Sequence, residues 1–137
     1  MKLRAIFPSF EIPHDPIVVR DYAQAVEGMG YADLAVYEHV AGLDRRRYPD
    51  YKGVFDHTAA FHEPFVLFGY LAGQTKSIGL TTCVLVLPQR QTVLVAKQAA
   101  EVAKLSGGRF SLGVGLSTNA AEYAAMGKEY GNRGARL

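Results

Sequence analysis

The stretch IGLTTCVLVLPQRQTVLVAKQAAEVAKLSGGRFSLGVG, residues 78–115, holds the reading on which the fold turns. Ile78–Leu87 is a short, nearly unbroken apolar run closed by Pro88, as expected of a strand covered on both faces. Thr92 is expected to cap the helix that follows, with Val95, Ala99, Val102 and Leu105 on its inner side. Lys97, Glu101 and Lys104 fall on the outer side, where Lys97 and Glu101 are spaced to pair. Ser106-Gly107-Gly108 ends the helix, and Arg109–Val114 reads as the next strand. A strand, a helix and a second strand in one such span form a βαβ unit and imply a parallel sheet.

The same alternation extends outward. Leu3–Phe7 is an expected strand closed by Pro8, and Asp15-Pro16 opens a helix with a good cap and a good first residue. Val18, Tyr22, Ala25, Val26 and Met29 recur at helical spacing up to Gly30, and Asp33–Tyr37 is a second strand. Val40–His57 has no clean period and is expected as a long loop. Glu63-Pro64 then opens a helix to about Gln74. Beyond the fourth strand, Gly115–Asn119 turns and Ala120–Met126 is helical until Gly127. Strands therefore begin near residues 3, 33, 78 and 109, giving four strand–helix units in one domain, 1–137. Two α/β architectures satisfy this pattern: a small doubly wound sheet, or half of an eightfold barrel. A whole barrel takes about 250 residues.

Composition narrows the function classes. A hydrophobic fraction of 49% supports a core, and a net charge of +2 with scattered basic residues argues against a nucleic-acid partner. Arg45-Arg46-Arg47 is either a solvated loop or a grip for an anion. Cys83 is the only cysteine, so no intrachain disulfide can form, and no metal-ligand spacing occurs. The N-terminus lacks a signal-peptide run, and no apolar stretch reaches the roughly 20 residues that cross a membrane. The expectation is a cytoplasmic protein acting on a small-molecule substrate.

In parallel barrels, chemistry sits at the C-terminal ends of the strands. Glu38-His39 follows strand two, and the imidazole can donate to a developing anion or carry a proton; its alternative role is to tie down the long loop. Thr82-Cys83-Val84 lies in strand three, where an apolar setting disfavours a thiolate and makes Cys83 a structural residue. Gly113-Val114-Gly115-Leu116-Ser117-Thr118-Asn119 can turn backbone N–H groups toward an anion, or merely allow a tight turn; it lacks the third glycine of a dinucleotide fingerprint. His14 is expected in a loop at the mouth of strand one, and His57 and His62 in capping or solvated positions. Glu122 is expected in the first turn of the last helix, facing its dipole.

Taken in order, these segments resemble the luciferase-like monooxygenase family, especially its deazaflavin-dependent members. The resemblance is carried by Glu38-His39, by Thr82–Arg90 with the helix after it, by Ser106–Gly115, and by Asn119–Tyr123, Met126-Gly127 and Arg133-Gly134. It implies the N-terminal half of a TIM (β/α)8 barrel of four parallel βα units. It further implies hydride transfer between coenzyme F420, a deazaflavin, and an organic substrate. His39 would assist catalysis, and Glu38, His39, Thr82, Cys83, Val84, Gly115, Ser117 and Asn119 would bind the cofactor. It also implies a non-proline cis peptide at Cys83–Val84. FMN with oxygen is the alternative within the family. A noncatalytic half-barrel, able to pair as a homodimer through its open edges, is the alternative outside it. Ser117-Thr118 departs from the Gly-Trp of many relatives. Some sugar-phosphate-oxidising members carry a glutamate acid near there, which Thr118 cannot replace, so the resemblance does not extend to such a substrate. Relatives continue into four more units after the position of Leu137, where barrel phosphate sites commonly lie. Weak or absent deazaflavin binding is therefore expected of residues 1–137 alone.

Overall fold

The structure, a computed structural model, describes residues 1–53, 55–59 and 61–137. Val54, in the expected long loop, lies outside the described residues.

Four short strands form a parallel sheet: β1 (Arg4–Ile6), β2 (Asp33–Val36), β3 (Gly79–Thr82) and β5 (Phe110–Ser111), in that spatial order. The third and fourth strand lines continue as β4 (Leu85–Val86) and β6 (Val114–Gly115), which pair with each other, Leu85 opposite Val114 and Val86 opposite Gly115. Strand neighbours in space are thus strand neighbours in sequence. Between them run α1 (Pro16–Gly28), α2 (Pro64–Gln74) and α3 (Thr92–Leu105), with a short α4 (Ala120–Ala125) after β6. α2 packs on both α1 and α3, so the three helices share one side of the sheet. Consecutive order with one-sided helices is barrel winding; a doubly wound sheet reverses its order and covers both faces.

Each helix starts where a side chain satisfies its first free N–H groups. Asp15 Oδ1 accepts from Ile17 N (2.7 Å) and Val18 N (3.3 Å), and Glu63 Oε2 accepts from Val66 N (2.8 Å). Pro16 and Pro64 occupy the first helical positions, where a missing N–H costs nothing. The cap of α3 is Gln91, whose Oε1 accepts from Leu94 N at 2.5 Å, and Thr92 is already helical; this corrects the expected Thr92 cap. The longer glutamine side chain reaches the third N–H from one position earlier. The inner stripe of α1 is Val19, Ala23 and Val26, whereas Val18 and Met29 face outward, one residue out of phase with the expected stripe. Leu105 is also exposed, because α3 buries Val95 and Val102 on a narrower face. α2 buries Phe65, Leu67, Phe68, Leu71 and Ala72, as a helix wedged between two others must.

One core joins Val19 and Val26 to Leu34, Val36, Phe68, Leu71, Leu80, Val95 and Val102. At the N-terminal ends of the strands, Arg109 donates to the carbonyls of Ser106, Ala72, Thr75 and Ile78, and to Thr75 Oγ1. Glu27 Oε1 accepts from the N–H groups of Lys76, Ser77 and Ile78, joining the end of α1 to the entry of β3. Among the described residues, no helix is long and apolar enough to cross a membrane.

Strand three is not the continuous strand expected over 78–87. It breaks at Cys83–Val84, whose peptide is cis, and Leu87–Gln89 closes as a 3-10 turn rather than extending. Strand four breaks in step. Thr82 Oγ1 donates to Gly113 O (2.8 Å) and accepts from Gly113 N (2.9 Å), while Leu85 N donates to Gly113 O (2.8 Å). A Cβ on Gly113 would lie 2.2 Å from Thr82 O, and one on Gly115 would lie 2.4 Å from Val84 Cγ2. The two glycines therefore admit the neighbouring strand. Gly115 lies in the ladder opposite Val86.

Candidate active site

The C-terminal ends of strands two, three and four surround an open cavity of about 480 Å³, lined by Tyr37, Glu38, His39, Phe55, Cys83, Val84, Val86, Ser117 and Thr118. The break in strand three turns Val84 outward. It is 39% exposed while Leu85 and Val86 beside it are buried, so an apolar surface is presented where the strands end. Cys83 is partly exposed, which corrects the expectation of a buried structural cysteine. Its N–H is held by the Val36 carbonyl (2.8 Å), so the bend is anchored to β2.

Glu38 is buried behind the cavity. It accepts from Val86 N at 2.5 Å and from Arg90 Nε at 2.6 Å, with Arg90 Nη2 in contact with both Glu38 and Glu63. Burial pushes the Glu38 carboxyl above its ordinary value, against the opposing pull of Arg90. Burial also opposes charge on Arg90, but the two carboxylates outweigh it and hold its pKa above the ordinary value. The pair joins the end of β2, the turn after β4 and the cap of α2.

His39 is turned the other way. Its Nδ1 lies 3.3 Å from Glu122 Oε2, and its ring packs against Phe55 and Phe61 at centroid distances of 5.5 and 5.0 Å. Glu122 Oε1 accepts from Val40 N (2.6 Å) and Ala41 N (3.2 Å). Burial opposes ionisation of Glu122, yet His39 and these two N–H groups outweigh it and hold its pKa below the usual carboxylate range. A smaller cavity of about 220 Å³ adjoins, with His39, Phe55, Phe61, His57 and Asn119 in its wall.

Of the residues expected to bind a cofactor, Glu38, His39, Cys83, Val84 and Ser117 line the main cavity and Asn119 the adjoining one. Thr82 does not: it is 1% exposed and engaged with Gly113. Gly115 is in neither wall and acts by making room for Val84. Asn119 also caps α4 through Glu122 N (3.2 Å). Glu122 lies in the first turn of α4, as expected, and it is also fully buried and bonded to His39. Asn119 and Glu122 have capping-box spacing, which marks the helix start, but the contact to His39 spans 83 residues and leaves no local signal. Phe55 and Phe61 were not singled out, for the same reason. Arg45 and Arg46 are engaged by Asp56 and Asp44, a loop-bracing role rather than an anion grip. His62 caps no helix and is half-buried. It stacks on His14 at 4.2 Å and meets the edge of Phe7. Burial, then the nearby His14, lowers its pKa.

Comparison with known proteins agrees with this geometry. Residues 13–137 match the family model described as luciferase-like monooxygenase. An uncharacterized protein of Mycobacterium tuberculosis is 36% identical over 120 residues, covering 84% of this chain and 42% of its own length. The chain thus spans less than half of that relative. Among solved structures, the monooxygenase RslO1 of Streptomyces bottropensis superposes with a TM-score of 0.80 at 16% identity, over 99% of this chain and 39% of its own. The oxygenating constituent of 3,6-diketocamphane monooxygenase of Pseudomonas putida, in complex with FMN, gives 0.79 at 17% identity, over 100% of this chain and 36% of its own. The coenzyme F420 dependent tetrahydromethanopterin reductase of Methanopyrus kandleri gives 0.65 at 17% identity, over 91% and 30%.

Proposed function

The chain belongs to the luciferase-like monooxygenase family, and from that premise we propose that it forms the ring-binding half of a flavin-type oxidoreductase. The observation that carries this reading is Val84: an exposed aliphatic side chain at the bend of strand three, facing a cavity that also holds an imidazole. A planar heteroaromatic ring suits such a wall. It would lie on Val84, with Tyr37 and Phe55 at its sides and Ser117, Thr118 and His39 offering polar contacts.

A bound flavin or deazaflavin supplies a ring that accepts or delivers hydride. The chain's own residues supply the rest. Val84, Val86 and Phe55 exclude water from one side of the cavity. Arg90 and Val86 N–H hold the Glu38 carboxylate and thereby fix the end of β2 from which His39 projects. His39 holds or moves a proton at Nε2, the ring nitrogen not engaged by Glu122.

Coenzyme F420 is the reading that the ordered motifs support. FMN is the second reading, favoured by the likeness to an FMN complex over the whole chain. Titration of each cofactor, followed by quenching of its fluorescence, tests both. The expected result is weak but still saturable quenching by one of them, weakened further by Val84→Glu, which places a charge on the apolar wall. Equal quenching by wild type and a folded V84E variant would overturn the reading.

A further inference from the structure

His39 and Glu122 belong to segments that meet only through tertiary structure, the end of strand two and the first turn of α4. Glu122 is completely buried, and its two oxygens are divided between tasks. Oε1 takes the N–H groups of Val40 and Ala41, and Oε2 is left for the imidazole. A carboxylate only accepts hydrogen bonds. The ring nitrogen facing it must therefore be the one that carries hydrogen.

We infer that Glu122 is the positioning residue of this site: it holds His39 as the Nδ1–H tautomer and so presents an unprotonated Nε2 to the cavity. The inference rests on the proposed function only for what Nε2 would meet. No other carboxylate competes for the role among the described residues. Glu38 is taken up by Arg90 and Val86, Glu63 by Arg90 and Val66, and Asp56 by Arg45 and Thr58. The same Glu122 carboxylate pins the start of the long loop through Val40 and Ala41, so ring orientation and loop position are set by one group. Phe55 and Phe61 close over the ring and restrict its rotation. In this arrangement an O–H or N–H of a cavity ligand gives its proton to Nε2 and keeps the bonding electron pair. The imidazolium then formed lies against the Glu122 carboxylate.

The test is a long-range proton–nitrogen NMR spectrum of the imidazoles in ¹⁵N-labelled, cofactor-free protein at alkaline pH, where a histidine ring is neutral. The expected wild-type pattern for His39 is protonated Nδ1 and bare Nε2. In Glu122→Gln, whose amide can either donate or accept, that pattern is lost in favour of a mixture or of Nε2–H. An Nε2–H tautomer in the wild type overturns the inference, and so does an unchanged pattern in a folded E122Q protein. Should E122Q fail to fold, the wild-type spectrum alone decides. Because no cofactor is present, the outcome is independent of the cofactor titrations. Absent cofactor binding would count against the proposed function, and a wrong tautomer against Glu122.

Discussion

Gly113 has no space for a side chain, since its Cβ would sit 2.2 Å from a backbone carbonyl. Gly113→Ala must push strand four away from Thr82, and overpacking of this kind costs about 1–3 kcal/mol. Gly69 in α2 is the control: a Cβ there meets nothing within 4 Å, and Gly69→Ala should stabilise by about 0.5–1 kcal/mol through helix propensity. Urea midpoints of the two variants should move in opposite directions. Two destabilised variants would mean that the close approach at Gly113 is nothing special. The Glu38–Arg90 pair makes a second contrast. Removing one member of a buried pair costs about 3–5 kcal/mol, whereas replacing both by apolar groups is often nearly neutral. Glu38→Leu should therefore be strongly destabilising, and the double variant E38L/R90M should recover much of the loss. Additive losses in the double-variant cycle would contradict the coupling.

At the scale of elements, Glu27 joins α1 to the entry of β3 with one carboxylate. Burial alone would raise its pKa, but the N–H groups of Ser77, Ile78 and Lys76 and the Ser77 hydroxyl lower it from 4.5 to about 2. A folded-state pKa below the unfolded value stabilises the protein above the unfolded pKa, and that stability is lost as the pH falls through the folded one. The loss thus falls between about pH 4.5 and pH 2. Glu27→Gln should cost about 1–2 kcal/mol at neutral pH, allowing for solvent screening of a partly exposed group. It should also flatten the stability profile in that window, as read by thermal melts at stepped pH. An unchanged acid limb would show that the carboxylate carries no such load. The element boundaries themselves were largely legible in the sequence, because Asp15-Pro16 and Glu63-Pro64 act on N–H groups two or three residues away. The inner stripe of α1 was displaced by one residue, since Val18 and Val19 differ only in what the sheet offers them. The break in strand three was foreshadowed only by resemblance, as the cis peptide at Cys83–Val84, and the step in strand four was not legible at all. They depend on Thr82 meeting Gly113, 31 residues later. At the site, His39 and Val84 could be proposed from position and resemblance, but Glu122, Phe55 and Phe61 could not, because their partners lie far along the chain.

The whole molecule is a sheet with a well-tied centre and two lateral margins. Among the described residues, β2 and β3 are paired on both sides, whereas β1 pairs only with β2 and β6 only with β4. Local opening should follow that order. Amide hydrogen exchange is expected to be slowest at Leu34–Val36 and Leu80–Thr82, and at least tenfold faster in β1 and β6. Uniform protection across the sheet would mean that both margins are covered in solution. The architecture is that of the first half of a luciferase-like barrel, and it brings His39, Val84 and Ser117 to one cavity at the strand ends. The most direct test of that cavity as a cofactor site is chemical-shift mapping of the ¹⁵N-labelled protein during addition of coenzyme F420 and, separately, of FMN, which detects even weak binding. One of the two is expected to move the signals of His39, Cys83, Val84 and Ser117 most, with α1 unaffected. Shifts centred on the outer helices, or no shifts with either cofactor, would contradict it.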